Sequence, residues 1–169
     1  DSLLRKTLAT KRDKAKLAND VRSMRARIEK EKGTKDVWDL KQVAGGLVDI
    51  EFISQFLQLV YAHDHPEVLA QGTEDALENL RAAKLLEPGD ADLLLQALRL
   101  YHRLTQVLRM ALSGKFSAAE APRGVIDLLT RAGGAPNLAH LELELADIQK
   151  SVRAKFEEIV GKVEMGEGS

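Results

Sequence analysis

The sequence predicts an all-α fold, a bundle of about five to seven helices around a central apolar helix near residues 47–63. The chain of 169 residues is 44% hydrophobic and 30% charged, with 12 glycines and 4 prolines, a composition typical of a helical globular protein rather than a disordered one. No segment shows the alternating pattern of a strand. The run from Leu47 to His63 lacks proline and glycine and is long enough for about four to five helical turns.

The first elements in chain order are a short helix over 2–9 and a second helix from an N-cap at Asp13 to about Lys32. Apolar residues of the second helix step by four, three and four, which predicts a narrow buried seam. The seam consists of Leu17, Val21, Met24 and Ile28. Arg22 and Arg25 flank it, so we expect them to pair with a buried carboxylate or with phosphates.

The central helix has a wide apolar face. At 100° per residue, one arc holds Ile50, Phe52, Ile53, Phe56, Leu57, Leu59 and Val60. Asp49 falls inside this arc, whereas Glu51, Ser54, Gln55 and Gln58 form the narrow polar stripe. Because an unpaired carboxylate is costly to bury, Asp49 needs a cation or backbone donors.

Two interpretations of this acid pair stay open. In the first, the free N–H groups of the first helical turn or an ion pair with an arginine stabilise Asp49. In the second, Gly45 and Gly46 let the backbone approach a ligand or another domain, and Asp49, Glu51 and Lys41 point towards it.

Five further helices are expected downstream. Their positions are 66–70 after Pro66, a helix capped by Thr73, 91–113 with Asp90 as cap after a Pro88-Gly89 stop, 123–132, and a last helix beginning at Pro136-Asn137. The helix over 91–113 is expected to bury Leu94, Ala97, Leu98, Tyr101, Leu104, Leu108 and Ala111. The last helix carries an apolar stripe of Leu138, Leu141, Leu145, Ile148, Val152, Phe156 and Ile159. We expect Trp38 to anchor the core and His102 to lie at the surface or at its boundary.

Positive charge is concentrated at the start of the chain. Residues 1–41 have a net charge of +6 and residues 42–169 of −7. A basic segment of this kind could contact nucleic acid, a nucleotide or an acidic protein surface, or it could be a solvated helix face. Its one aromatic residue, Trp38, provides no stacking platform, so nucleic acid is not expected as a partner.

Several classes of protein are excluded by what the sequence lacks. The absence of cysteine excludes disulfides, thiol nucleophiles and cysteine zinc sites, and it fits a cytoplasmic location. His63 and His65 are two residues apart without a further ligand at suitable spacing, so no metal site is expected. The longest uncharged run, from Phe52 up to His63 before Asp64, is too short to span a membrane, and the N-terminus has no signal-peptide core.

The order of residues around the central helix is more informative about a protein family than the polarity pattern of the same residues. Trp-Asp-Leu-Lys at 38–41, three further residues and Gly-Gly-Leu-Val-Asp-Ile-Glu-Phe-Ile at 45–53 resemble the bifunctional glutamine synthetase adenylyltransferase/adenylyl-removing enzymes. In that family the motif begins the helical domain behind a nucleotidyltransferase domain, and this chain is similar to the second, C-terminal copy. The resemblance covers most of the chain and is strongest over 21–86. It departs from the family at Val43-Ala44, where a small, polar or glycine-containing pair is more usual.

The resemblance implies a parent enzyme that transfers AMP from ATP to a tyrosine of glutamine synthetase, while another unit removes it. Catalysis in that family needs a Gly-Ser turn for the triphosphate and an Asp-x-Asp pair for two magnesium ions. This chain has no Gly-Ser turn ahead of an Asp-x-Asp pair, and no such pair on a strand. Its one Asp-x-Asp spacing, Asp90-Ala91-Asp92, opens a helix. We therefore expect no catalytic residue and no cofactor in the chain itself; ATP and Mg²⁺ belong to the catalytic domain.

The resemblance also implies a domain plan and partners. Residues 1–36 would form a basic helical segment that links to an upstream nucleotidyltransferase domain, 37–161 would form the bundle and 162–169 a flexible tail. The expected partners are the upstream domain, glutamine synthetase and a PII signal protein, with no nucleic acid or membrane. Candidates for the nucleotide cleft or the interdomain contact are Arg22, Arg25, Lys41, Gly45, Gly46, Asp49 and Glu51. The alternatives are a helical domain of a PII uridylyltransferase and a non-catalytic helical interaction module.

Overall fold

The computed structural model describes residues 11–111 and 116–163. Within these ranges the chain forms six α-helices and one short 3-10 helix, with no strand. They are α1 (Lys11–Lys32), α2 (Leu47–Tyr61), the 3-10 helix (Pro66–Val68), α3 (Thr73–Ala82), α4 (Pro88–Ala111), α5 (Arg123–Gly133) and α6 (Leu138–Ile159). The predicted all-α bundle is confirmed. The helix expected over 2–9 and most of the expected tail lie outside the described residues.

Helix α2 lies at the centre of the bundle, as predicted, and packs against α1, α3, α4 and α6. Its buried residues are Val48, Asp49, Ile50, Ile53, Ser54, Phe56 and Leu57. The helical wheel was wrong at two positions, since Leu59 is 45% exposed and Ser54 is buried. Helices surround α2 on several sides and therefore cover part of its polar stripe. Gln58 Nε2 lies 3.2 Å from Ser54 Oγ, so the buried hydroxyl has a hydrogen-bond partner.

Helix α1 packs against the core with part of the predicted seam, since Val21 is buried and Leu17 packs against the core, but Met24 does not face the core. Its buried residues are Ala18, Val21 and Arg25, whereas Met24 is 51% exposed. Successive residues of a helix are about 100° apart, so the face that brings Arg25 to its partner on α2 carries Met24 towards solvent. The assignment of Met24 to the seam was wrong, because an ion pair decides which face of α1 is buried.

Three helix starts differ from the prediction by a few residues. Helix α4 begins at Pro88 and not after it, since proline suits the first turn of a helix, where its missing N–H would have no partner. Asp90 therefore lies inside the first turn. Helix α3 has Gly72 as its N-cap, and Thr73 is its first residue. Asp13 likewise lies in the first turn of α1 and is not its cap.

The connection between α1 and α2 is anchored by Trp38, as predicted. Its side chain is 8% exposed, and its ring meets the Phe116 ring edge-on with centroids 4.8 Å apart. The indole Nε1 donates to Glu142 Oε1 at 3.1 Å. At the start of α6, the Asn137 side chain accepts the N–H of His140 at 2.8 Å, so the predicted helix start at Pro136-Asn137 is also confirmed.

The packing of α1 bears on the expected division of the chain at residue 36. Ala18 and Val21 belong to the same hydrophobic core as the residues of α2 to α6. The division itself stays a prediction. Among the residues that the structure describes, no helix is long and apolar enough to cross a membrane.

Candidate functional site

The two glycines before α2 form a turn that lies directly against other parts of the backbone. Gly45 has a φ of +82°, a region that favours glycine. A Cβ atom on Gly45 would lie 1.8 Å from the carbonyl oxygen of Gln149 in α6. A Cβ atom on Gly46 would lie 2.4 Å from the carbonyl oxygen of Leu40. Both positions therefore need glycine because the chain contacts itself there, and at Gly45 the space is filled by α6.

Asp49, in the first turn of α2, is completely buried and both of its carboxylate oxygens are hydrogen-bonded. Oδ1 accepts from Arg25 Nε at 2.5 Å and from Arg153 Nη2 at 3.3 Å. Oδ2 accepts from the N–H of Gly45 at 2.6 Å and from Arg153 Nε at 2.9 Å. Asp49 is thus paired with arginine, as the first interpretation of its sequence position expected, and its backbone donor is Gly45 before the helix rather than an N–H group of the first turn.

The hydrogen bonds continue from Asp49 to a second carboxylate. Arg153 Nη2, on α6, donates to Glu29 Oε1 of α1 at 2.8 Å. Arg25 Nη2 donates to the carbonyl oxygen of Gln42 at 3.2 Å. We call Arg25, Glu29, Asp49 and Arg153 the Asp49 network. Its two positive and two negative charges balance, and it connects α1, α2 and α6.

Burial within the Asp49 network is uneven. Arg25 and Asp49 are 0% exposed, whereas Arg153 is 16% and Glu29 19% exposed. Bringing such charges out of water offsets much of their attraction, so an intact buried pair adds little net stability. Removing one partner is costly, because the remaining charge is then buried alone. The network therefore specifies how the three helices fit together more than it adds stability.

Tyr101 brings α4 to the same turn. Its hydroxyl donates to the carbonyl oxygen of Gly45 at 2.8 Å. Burial raises the pKa of the Tyr101 phenol well above its usual value, and the nearby negative charge of Asp49 raises it further. The phenol therefore stays protonated and remains a hydrogen-bond donor to the turn.

The structure brings together four of the seven residues that the sequence proposed, namely Arg25, Gly45, Gly46 and Asp49. The other three lie elsewhere. Arg22 Nη1 donates to the carbonyl oxygen of Val160 after α6, at 2.6 Å, and Lys41 and Glu51 are exposed. The role of these seven residues at a nucleotide cleft or an interdomain contact stays a prediction.

Three residues of the site were missed by the sequence analysis: Glu29, Tyr101 and Arg153. Arg153 lies 104 positions from Asp49 along the chain, and the need of Asp49 for a cation was one signal for such a partner. A second signal lay in α6 itself, where Arg153 directly follows Val152 of the apolar stripe. Tyr101 was predicted as a buried residue of its helix, without a role at the turn.

The arrangement has the properties of a structural anchor rather than of a reaction centre. Both oxygens of Asp49 are occupied by donors of the same chain, so this carboxylate has no free lone pair directed at an open cleft. Among the described residues, no group of three or more histidine, cysteine, aspartate or glutamate side chains could hold a metal ion. What the site can do is hold α1, α2, α4 and α6 in one fixed arrangement around the glycine turn.

Comparison with known proteins relates the chain to a family model and to a set of curated enzymes. Residues 17–159 match the protein-family model described as GlnD PII-uridylyltransferase. Curated proteins named bifunctional glutamine synthetase adenylyltransferase/adenylyl-removing enzyme are also similar. The one from Rhodopseudomonas palustris strain HaA2 is 47% identical and that from strain CGA009 45% identical, each over 95% of this chain and 16% of the relative. The one from Bradyrhizobium diazoefficiens is 43% identical over 91% of this chain and 16% of the relative. The chain thus spans about 16% of the length of these relatives.

Proposed function

The chain belongs to the GlnD PII-uridylyltransferase family, and from this we propose that it is a helical domain of a bifunctional glutamine synthetase adenylyltransferase/adenylyl-removing enzyme. The observation that carries the proposal is the identity of 45–47% with enzymes of that name over 95% of the chain. The whole protein would attach AMP from ATP to a tyrosine of glutamine synthetase and remove it again, in the cytoplasm.

Within such an enzyme, we assign this domain a supporting role. The reaction would take place in an upstream nucleotidyltransferase domain, which would hold ATP and Mg²⁺. The sequence of the chain has no Gly-Ser turn followed by an Asp-x-Asp pair, and Asp49 has no free oxygen. Both observations favour a domain that positions the catalytic unit or its protein substrate.

The Asp49 network supports a specific form of this role. Helix α1 precedes the rest of the bundle, so it would connect the bundle to the upstream domain. Arg25 and Glu29 of α1 are held by Asp49 and Arg153. The network would therefore fix the direction in which α1 leaves the bundle, and with it the position of the catalytic domain. The exposed Lys41 and Glu51 and the half-buried Arg22 are the residues we propose for contact with that domain, with glutamine synthetase or with a PII-type signal protein.

The proposal is tested by assaying AMP transfer to glutamine synthetase from ATP labelled at its α-phosphate. We expect the whole protein that contains this chain to label glutamine synthetase, and the chain alone to leave it unlabelled. Incorporation of AMP by the chain alone would contradict the supporting role. Absence of incorporation with the whole protein, under conditions in which a known adenylyltransferase is active, would contradict the assigned enzyme.

A helical domain of a PII uridylyltransferase is the second candidate, because the matching family model carries that description over 17–159. The same whole protein can be offered labelled UTP and a PII protein in a parallel reaction. Transfer of UMP to PII without transfer of AMP to glutamine synthetase would favour this candidate. A non-catalytic interaction module would show neither transfer, while retaining glutamine synthetase or PII in a pull-down.

A further inference from the structure

A polar groove lies between α1 and the segment that follows α6. Its volume is about 440 Å³, and it is lined by Asn19, Arg22, Ser23, Ala26 and Lys162. The four residues from α1 share one face, because residues three, four and seven apart lie on the same side of a helix. The groove presents a guanidinium, an ammonium, an amide and a hydroxyl group. None of these described lining residues carries a carboxylate.

Arg22 is held in place at the wall of the polar groove. Its Nη1 donates to the carbonyl oxygen of Val160 at 2.6 Å, and its Nη2 lies 3.4 Å from Asn19 Oδ1. Gly161 has a φ of +122°, and a Cβ atom there would lie 2.6 Å from Arg22 Nη1. Glycine at 161 thus permits the close approach of the guanidinium. Arginine has five N–H donors, so donors remain for a ligand after these two bonds.

The charges around the polar groove favour an anion. The C-terminal end of α6 contributes roughly half a negative charge through its unpaired carbonyl groups. Arg22 neutralises that end by binding Val160, and together with Lys162 it brings two full positive charges. The positive charge therefore exceeds the helix dipole. Guanidinium, ammonium and hydroxyl donors on one surface match the oxygens of a phosphate group.

We propose that the polar groove binds the phosphate group of a small molecule. Arg22 and Lys162 contact the phosphate oxygens, and Ser23 donates a further hydrogen bond. The volume exceeds that of a phosphate ion, so an organic group attached to the phosphate fits beside Ala26. The groove lies outside the Asp49 network, and this site does not depend on the proposed enzymatic function.

The test is a titration of the 169-residue chain with inorganic phosphate at constant ionic strength, followed by the amide NMR signals. We expect saturable shifts confined to Asn19, Arg22, Ser23, Ala26 and Lys162. Lys162→Gln should weaken phosphate binding about tenfold, the effect expected for loss of one hydrogen bond to a charged group. Ser23→Ala should weaken it less. The control Lys150→Gln, an exposed lysine of α6 outside the groove, should leave the affinity unchanged.

Three results would overturn the proposal. The first is a set of amide shifts that grow linearly with phosphate and do not saturate. The second is that chloride causes equal shifts. The third is that Lys162→Gln leaves the affinity for phosphate unchanged. A parallel titration with ribose 5-phosphate identifies the source of the phosphate. Tighter binding of ribose 5-phosphate that is lost in Lys162→Gln would support an organic phosphate as the ligand, and equal affinity of the two would support free phosphate.

Discussion

Asp49 accepts hydrogen bonds from Arg25, Arg153 and the N–H of Gly45, and these partners determine what the residue can do. A carboxylate in water could act as a base or bind a cation. A fully buried carboxylate between two arginines does neither, because its lone pairs are occupied and its charge is already balanced. The role of Asp49 in this domain is therefore to hold its neighbours.

Asp49→Asn should destabilise the chain strongly. Asparagine has nearly the same size but no charge, so Arg25 would be buried beside a neutral group. Removing one partner of a buried ion pair costs about 3–5 kcal/mol of unfolding free energy. Urea unfolding followed by the fluorescence of Trp38, the one tryptophan of the sequence, measures this loss.

Glu51→Gln is the matched control for that substitution. Glu51 lies two residues further along the same helix and is exposed, so its replacement should change the unfolding free energy by less than about 0.5 kcal/mol. Equal stabilities of the Asp49→Asn chain and the unsubstituted chain would contradict the structural role of Asp49.

Tyr101→Phe should lower stability near neutral pH, and the loss should shrink in alkali. Near pH 7 the substitution removes the hydrogen bond to Gly45, a loss of about 1–2 kcal/mol. Burial raises the pKa of Tyr101 in the folded state, whereas a tyrosine in the unfolded chain ionises near pH 10. The tyrosine therefore stabilises the fold fully below about pH 10, and this contribution is lost as the pH rises further.

Urea unfolding of both chains at several pH values between about 7 and 11 tests this expectation. The difference in unfolding free energy between the unsubstituted chain and Tyr101→Phe should narrow above about pH 10. A difference that stays constant over the whole range would mean that Tyr101 does not hold its proton through burial at the glycine turn.

Helix α1 differs from the other helices in the contacts that attach it to the bundle. Its fully or nearly buried apolar side chains are the small Ala18 and Val21, and the partly buried Leu17 also packs against the core. Three charged side chains add directional contacts. Arg22 binds Val160, Arg25 binds Asp49 and Glu29 binds Arg153. The position of α1 is thus specified by directional polar contacts, which fits a helix whose orientation matters to a neighbouring domain.

The same attachment explains what could be predicted of α1 from the sequence. Arg25 was correctly proposed as a partner of Asp49. A buried carboxylate needs a cation, and two arginines, Arg22 and Arg25, flank the seam of α1. The burial of Met24 was wrongly expected, since periodicity counts apolar residues and ignores the face that an ion pair selects. Arg153 could not be assigned to Asp49, because nothing local relates residues on helices so far apart in the chain.

Gly45→Ala should displace the turn from α6. The substitution would place a Cβ atom 1.8 Å from the carbonyl oxygen of Gln149 and force a left-handed φ on alanine. Strain at φ and overpacking each cost about 1–3 kcal/mol, so we expect a loss of about 3 kcal/mol in unfolding free energy. Thermal unfolding followed by circular dichroism measures it.

Gly124→Ala should stabilise the chain, in contrast to Gly45→Ala. Gly124 lies in the first turn of α5 with open space around its Cβ position. Alanine favours a helix over glycine by up to about 1 kcal/mol, so this substitution should raise the melting temperature slightly. A Gly45→Ala chain as stable as the Gly124→Ala chain would show that α6 does not pack against the turn.

The architecture of the whole molecule was predictable because it follows from periodicity. Apolar residues at intervals of three and four predicted every described α-helix, and the central place of α2 followed from its wide apolar face. Helix ends were less accurate, as at Pro88, because proline can either end a helix or begin one. The Asp49 network was predictable only in part, since it joins residues of α1, α2 and α6 through tertiary contacts.

In the proposed adenylyltransferase, Asp49→Asn should lower AMP transfer to glutamine synthetase. If the Asp49 network orients α1, its loss misplaces the catalytic domain, and small misplacements of a reacting group are costly in rate. We expect a fall of about tenfold in turnover, together with a lower melting temperature. Glu51→Gln measured in parallel separates the loss of the network from the loss of a surface contact. Unchanged turnover and melting temperature would contradict this expectation.

The anchoring role of the glycine turn and Asp49 is tested most directly by titrating the folded chain with Mg²⁺ and ATP. The amide NMR signals of residues 41–51 are followed during the titration. If the glycine turn and Asp49 are an internal anchor, these signals should stay in place up to millimolar ATP, while any shifts at Ser23 or Lys162 belong to the polar groove. Saturable shifts at Gly45, Gly46 and Asp49 would show that the motif itself binds nucleotide, and would contradict the anchoring role.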